Sequence, residues 1–161
     1  MQTTFTLRRF NSLDLEKVMY INRVCLPENY TNFFFLNLHK RFPETFLVAE
    51  EKEEVVGYVM CRIETRLPGF TIGIKKKGHV ISIAVLPEYQ RQGVGYALMQ
   101  EAMRSMLLYN AKECFLEVRA SNTPAVNLYK KMGFEITRTL RGYYSDGENA
   151  YMMVRQLPFE C

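Results

Sequence analysis

The stretch Val80-Ile81-Ser82-Ile83-Ala84-Val85-Leu86 is followed, across Pro87-Glu88-Tyr89, by Gln90-Arg91-Gln92-Gly93-Val94-Gly95. Apolar at every position but Ser82, the first segment predicts a central strand covered on both faces. Val94, Leu98, Ala102, Met106 and Tyr109 then recur at helical spacing, predicting a long amphipathic helix over Arg91 to Tyr109. A strand that feeds a helix through a glycine-rich loop is an anion cradle in outline. Small residues let the backbone approach a ligand, and the unpaired first-turn amides, reinforced by the helix dipole, suit a pyrophosphate. Alone, Q-x-x-G-x-G is a weak signal and reads equally well as a glycine-rich helix entry. It is neither a P-loop, which needs a Gly-Lys-Ser/Thr ending, nor a G-x-G-x-x-G dinucleotide loop.

Outward from this core, Thr4 to Arg9 alternates like a short strand, and Asn11 or Ser12 can cap a helix with Asp14 and Glu16 in its first turn. Val18, Ile21 and Cys25 form its apolar stripe, and Pro27 ends it. Phe33 to Arg41 reads as a second helix. Phe46 to Glu50 and Val55 to Glu64 then make a hairpin across Glu51-Lys52-Glu53-Glu54, with the second strand buried on one side and mixed on the other. Beyond the long helix, Cys114 to Arg119 is a strand and Thr123 to Met132 a helix closed by Gly133. Phe134 to Tyr144 and Ala150 to Leu157 are strands around the turn Ser145-Asp146-Gly147-Glu148. The order βααβββαβαββ predicts an α/β fold, a mixed sheet of about seven strands flanked by about four helices. With no repeat or linker in view, residues 1–161 read as a single domain.

The composition, 48% hydrophobic and 24% charged, excludes disorder and fibrous repeats. The net charge of +4 is scattered apart from Lys75-Lys76-Lys77, which reads as a solvated loop. No specific nucleic-acid binding is therefore expected, while an anionic ligand is tolerated. Nothing approaches the roughly 18 apolar residues of a membrane span, and Met1 to Arg9 lacks the apolar core of a signal peptide. A cytoplasmic protein without membrane attachment is expected. Cys25, Cys61, Cys114 and Cys161 stand far apart without metal-ligand spacing and read as reduced thiols.

Leu116-Glu117-Val118-Arg119-Ala120-Ser121-Asn122 and Ala125-Val126-Asn127-Leu128-Tyr129-Lys130-Lys131-Met132-Gly133-Phe134, joined to the glycine-rich loop, resemble the GNAT superfamily of acetyl-CoA-dependent N-acetyltransferases along essentially the whole chain. Within it, Gly78-His79-Val80-Ile81-Ser82-Ile83-Ala84-Val85, Leu26-Pro27-Glu28-Asn29-Tyr30 and Gly142 to Tyr151 are similar to the archaeal protein N-terminal acetyltransferases. These are relatives of the eukaryotic NatA catalytic subunit and of the bacterial ribosomal-protein alanine acetyltransferase. The resemblance implies the GNAT acyl-CoA N-acyltransferase fold, with acetyl-CoA entering a V-shaped gap where the central strand splays from the Cys114–Arg119 strand. Ile83, Ala84 and Val85 would hold the pantetheine arm. Arg91, Gln92, Gly93, Val94 and Gly95 would bind the pyrophosphate, with Tyr96 close by. Asn122 would hydrogen-bond the cofactor, a role compatible with capping the helix after it.

Transfer to an amine needs a base, a polarised carbonyl and a proton for the departing thiolate. By the same resemblance Tyr129 is the general acid near the sulfur, the alternative being a core aromatic. Glu117 is a carboxylate in an otherwise apolar strand, where an unpaired charge is costly. In the relatives the matching glutamate is the general base, directly or through a water that His79 shares; His79 reads equally well as an edge histidine satisfied by backbone. No catalytic metal is expected, two ligands being too few. Leu26, Pro27, Glu28 and Tyr30 resemble the family's substrate loop, and Tyr143 and Tyr144 its closing hairpin. The function implied is acetylation of the α-amine of protein N-termini, by direct attack of the amine on the thioester, and the resemblance leaves open proximity to the ribosome. The alternatives are acetylation of lysine or polyamines on the same fold, or a catalytically silent CoA-binding module.

Overall fold

A bulge in the central strand sets the shape of the sheet. A computed structural model describes residues 4–66 and 75–158. Its elements are β1 (Thr6–Arg9), α1 (Leu15–Cys25), α2 (Asn32–Arg41), β2 (Phe46–Glu51), β3 (Glu54–Arg66), β4 (Lys75–Val85), α3 (Val94–Met106), β5 (Glu113–Arg119), α4 (Thr123–Lys131), β6 (Glu135–Leu140) and β7 (Ala150–Gln156). The strands form one seven-stranded sheet in the order β1-β2-β3-β4-β5-β7-β6. β4 and β5 run parallel, and the other neighbours are antiparallel. This is the mixed sheet and the helix order read from the sequence.

Each face of the sheet has its own apolar layer. Val94, Leu98, Met99, Ala102, Met103 and Met106 of α3 pack with Val126 and Tyr129 of α4 over Val59, Cys61, Val80, Cys114 and Leu116. On the opposite face Val18 and Ile21 of α1 and Phe35 and Leu38 of α2 cover Phe46, Val48, Tyr58, Met60 and Ala84. Phe35, Phe46 and Tyr58 are fully buried and meet at tilted or edge-on angles. Burying a side chain of this size stabilises the fold by about 1.5–3 kcal/mol.

Several expectations are corrected. α3 begins at Val94 because Arg91 (φ 63°) and Gly93 (φ 85°) lie in the left-handed region, which no right-handed helix admits. It ends at Met106 in a 3₁₀ turn over Leu107–Tyr109, closed by left-handed Asn110. The first helix has a 3₁₀ entry at Ser12–Asp14, where Asn11 and Asp14 form a capping box. β3 is buried on both faces from Val55 to Cys61, because α3 covers one side of the sheet there and α1 and α2 the other; the mixed face begins only at Arg62. Lys75-Lys76-Lys77 is the start of β4, with Lys75 and Lys77 paired to the buried Glu113. β6 stops at Leu140, and residues 141–149 form a loop around the Asp146-Gly147 turn.

Cys25, Cys61 and Cys114 are free thiols, whereas Cys161 lies outside the described residues. Among the described residues no helix is long and apolar enough to cross a membrane.

One buried polar side chain ties α1 to the loop between α1 and α2. Asn22 is 1% exposed, and its amide donates to the Glu28 carbonyl (3.0 Å) and the Tyr58 hydroxyl (3.1 Å) while accepting from the Tyr30 amide (3.3 Å). Tyr58 in turn meets Ser82 on β4 at 2.7 Å. Removing one partner of a buried hydrogen bond costs about 1–3 kcal/mol. Asn22→Ala is therefore expected to lower the free energy of urea unfolding by about that amount. The Tyr30 amide should exchange hydrogen faster in the variant while amides of β2 keep their protection.

Candidate active site

β4 pairs with β5 only through Lys77, Gly78 and His79. Ile81 is an extra residue between Val80, opposite Cys61, and Ser82, opposite Met60, and this bulge bends β4 away. Beyond it β4 stays on β3 and β5 stays on β7. A cavity of about 930 Å³ opens between the parted strands. Ile81, Ser82 and Ile83 line one wall and Leu116 to Arg119 the other.

The Leu86 amide donates to Val56 on β3, so by alternation Ala84 also directs its backbone to β3 while Ile83 and Val85 direct theirs into the gap. Ala84, counted among the cofactor contacts from the sequence, is thus brought to the core and not to the gap. The Val85 carbonyl already accepts from Gln90 Nε2 at 2.8 Å and from Cys25 Sγ at 3.4 Å. Arg91 to Tyr96 do not line the cavity but sit past the end of β4, at the entry to α3. A Cβ on Gly93 would meet nothing within 4 Å, and one on Gly95 would stand 4.0 Å from Val85 Cγ2. At Gly93 the helix entry therefore faces open space with room for a pyrophosphate, whereas Gly95 packs toward Leu128 and Val85. Asn122 lines the cavity and caps α4, accepting from the Ala125 amide at 3.3 Å, so it holds the structural role that the sequence allowed.

Tyr129 reaches the cavity from α4, 6% exposed and packed on Phe134. Burial, and then the neighbouring Cys114, push its hydroxyl up to about 12, so it keeps its proton at neutral pH. Across the gap Glu117 Oε2 meets His79 Nε2 at 2.7 Å, while His79 Nδ1 meets Glu64 Oε2 at 2.5 Å. His79 is 8% exposed and stacks on Phe115 with ring centroids 4.1 Å apart. Both its nitrogens are satisfied by carboxylates and not by backbone, and the two groups expected to share a water touch directly. Burial resists ionisation of Glu64, but hydrogen bonds from His79 and Arg62 outweigh it and hold this carboxyl below its usual range. Among the described residues no group of three or more His, Cys, Asp or Glu has the arrangement to hold a metal ion.

Leu26, Pro27, Glu28 and Tyr30 line the opposite side with Tyr143 and Tyr144. The Tyr30 hydroxyl donates to the Ile81 carbonyl at 3.4 Å, and Tyr143 and Tyr144 stand edge to face, 5.0 Å between centroids. Burial and then the Glu28 charge raise the hydroxyls of Tyr30 and Tyr144. Arg119, not singled out in the sequence, knits this mouth together. It reaches Glu28 at 2.6 Å, Asp146 at 2.8 Å and Glu148 at 2.9 Å, and its guanidinium lies 4.1 Å over the Tyr144 ring. Asn22, Arg62 and Glu64 were also missed. Asn22 alone left a trace, as the polar residue beside Ile21 in an apolar stripe.

The chain matches the model of the Acetyltransferase (GNAT) family over residues 14–134. An N-alpha-acetyltransferase of Sulfurisphaera tokodaii is 48% identical over 160 residues, covering 95% of this chain and 93% of the relative. The crystal structure of Ard1 from Thermoplasma volcanium matches with a TM-score of 0.84 at 35% identity, over 97% of this chain and 99% of that one. NAA60 of Arabidopsis thaliana, solved in complex with acetyl-CoA, matches with a TM-score of 0.82 at 25% identity, over 96% of this chain and 100% of its own. With the split sheet, the glycine-rich entry to α3 and a family match that spans most of its length, this chain belongs to the GNAT acetyltransferase family.

Proposed function

We propose that this chain transfers the acetyl group of acetyl-CoA to the α-amine of protein N-termini, by direct attack of the amine on the thioester. The observation that carries this reading is the large cavity at the parting of β4 and β5. Glu117, Tyr129 and Asn122 stand around it together with the Leu26–Tyr30 loop and the paired tyrosines. The residues fit acetyl-CoA: backbone groups of Ile83 and the amide of Val85 are directed to the gap by strand alternation, and Gly93 leaves space at the helix entry. When bound, acetyl-CoA supplies the acetyl group as a thioester. The names of the relatives support the α-amine as acceptor.

Glu117 takes a proton from the incoming ammonium, with His79 as its hydrogen-bonded partner. Tyr129, protonated at neutral pH, supplies the proton that the departing sulfur requires. Amides at the end of β4 polarise the carbonyl. Arg91, Gln92, Gly93, Val94 and Gly95 take the pyrophosphate, with Tyr96 beside them, and Asn122 serves the cofactor while capping α4. Glu28, Leu26, Pro27 and Tyr30 receive the amino terminus, and Tyr143 and Tyr144 close over its backbone. An α-amine has a pKa of about 7.7–8.0 against about 10.4 for lysine, so one carboxylate is base enough for the former. Residues 1–161 act as one acetyltransferase domain, in the cytoplasm and near ribosomes where N-termini emerge; the free thiols support a reducing compartment.

Acetyl-CoA should raise the melting temperature of the protein, because it binds the native state. Gly93→Trp and Gly95→Trp should each abolish the rise in differential scanning fluorimetry, and an unchanged rise in both would place the cofactor elsewhere. Tyr129→Phe keeps the ring in the core but removes the proton. It should lower kcat by about 100-fold or more with little change in acetyl-CoA affinity by calorimetry. Full activity would return Tyr129 to a packing role.

Glu117→Gln should depress turnover most below pH 7, where the α-amine is protonated, and least near pH 9, because at high pH no base is needed. Peptides with a blocked N-terminus and an internal lysine should be poor acceptors at every pH. Equal rates for blocked and free peptides would instead establish the lysine or polyamine reading.

A further inference from the structure

The loop from Leu26 to Tyr30 lines the main cavity yet contains no helix or strand, so its position depends on side chains that reach it. At the mouth Glu28 is held by Arg119 at 2.6 Å, and the Tyr30 hydroxyl donates to the Ile81 carbonyl at 3.4 Å. Its backbone is held from beneath. Asn22 bonds the Glu28 carbonyl and the Tyr30 amide, and behind it stand the fully buried Tyr58 and, on β4, the buried Ser82. Ser82 lines the main cavity, whereas Asn22 and Tyr58 do not and so touch no ligand there.

The direction of each hydrogen bond beneath the loop is fixed by the backbone groups at its end. The Tyr30 amide can only donate, so the Asn22 atom facing it at 3.3 Å is Oδ1. Nδ2 then faces the Glu28 carbonyl at 3.0 Å and the Tyr58 hydroxyl at 3.1 Å, and one hydrogen goes to each. Burial pushes the Tyr58 hydroxyl above the usual tyrosine range, so it keeps its proton while its oxygen accepts from Asn22. That proton has Ser82 Oγ, 2.7 Å away, as its acceptor. A one-way chain therefore runs from the loop to the strand that walls the cavity, and it uses both hydrogens of the Asn22 amide. Phenylalanine would fill the core at position 58 without burying a hydroxyl. What the hydroxyl adds is a hold on Asn22.

We propose that Tyr58 is a positioning residue for the acceptor: through Asn22 it holds the backbone at Glu28 and Tyr30 where this loop receives the peptide amino terminus. This rests on the reading of Leu26 to Tyr30 as the acceptor loop. Without the hydroxyl, one Nδ2 hydrogen of Asn22 loses its partner in a buried place, and the amide is no longer locked toward the loop. The loop then occupies its receiving position for only part of the time. Apparent affinity for the peptide falls by that fraction. The gap for the cofactor is built from the backbones of β4 and β5 and is unaffected, so a peptide that does bind reacts as before.

Tyr58→Phe in the full chain tests this, assayed with acetyl-CoA and a free-terminus peptide at a temperature where circular dichroism shows the variant fully folded. Peptide KM should rise by about 10-fold, with kcat and the acetyl-CoA affinity from calorimetry each within about 2-fold. Hydrogen exchange followed by NMR should quicken at the Tyr30 amide while amides of β7 keep their protection. On an Asn22→Ala background Tyr58→Phe should raise KM no further, because the two act through one amide. Ser82→Ala is the second variant. With no acceptor left for its proton the Tyr58 hydroxyl turns, and the Tyr30 amide should again exchange faster.

A variant that is merely less stable, with peptide KM and Tyr30 exchange unchanged, would overturn the proposal. So would a loss confined to kcat, or a rise in KM that persists undiminished in the Asn22→Ala background. If Tyr58→Phe is silent while Glu28→Ala raises peptide KM, the loop receives the acceptor and Tyr58 has no part in placing it. If Glu28→Ala and Tyr30→Phe also leave peptide KM unchanged, the underlying reading of the acceptor loop has failed.

Discussion

The parting of β4 from β5 is the constraint on which the site depends. Two parallel strands would ordinarily pair along their whole length, satisfying every backbone group between them. Here an extra residue at Ile81 twists β4 off after three pairs. The price is a row of backbone groups without a strand beside them. The protein offsets part of this internally, with Tyr30 on the Ile81 carbonyl and Gln90 and Cys25 on that of Val85. The others face the cavity, where an extended ligand can take the place of the missing strand. The antiparallel partners β3 and β7 carry the two arms of the opening along their full length.

The same parting decides where charge can be kept. Glu117 and His79 lie at the vertex of the V, where the strands are still close enough for side chains on both to meet. Their hydrogen-bonded chain ends at Glu64 and Arg62 on the next strand, so the buried charges are paired across three strands. At the open end Arg119 gathers Glu28, Asp146 and Glu148 from two loops. Unpaired, three carboxylates at one mouth would repel each other and splay the loops. The guanidinium offers enough donors in one plane to hold all three, and its flat face rests on Tyr144. The mouth is thus assembled by an ionic clasp, and the vertex by a chain of hydrogen bonds.

Much of this was legible in the residues. An uninterrupted apolar run predicted the central strand, helical spacing of Val94, Leu98, Ala102 and Met106 predicted α3, and Gly133 marked the end of α4, each because the signal is local. Boundaries moved where backbone geometry overrode side-chain pattern. Left-handed Arg91 and Gly93 delayed α3, and the Asp146-Gly147 turn belongs to a longer loop than a tight hairpin needs. A lone glutamate in the apolar strand β5 called for a partner, since burial of a charge is costly, and Glu117 has one in His79. The GNAT resemblance added the expectation of a gap between β4 and β5, of Tyr129 beside it and of the Leu26–Tyr30 loop at its mouth, and all three line one cavity.

By itself the sequence determined which segments become strands and helices, and which of its polar residues sit where apolar ones would pack better. Both follow from periodicity and from the cost of burying charge, which act over a few residues. Tertiary structure alone decided the partners. Glu64 lies 15 residues from His79, His79 lies 38 from Glu117, and Arg119 lies 91 from Glu28. No spacing rule connects positions so far apart along the chain. Their meeting is set by strand register and by one bulge, and a shift of a single residue in either would turn these side chains to the opposite face of the sheet.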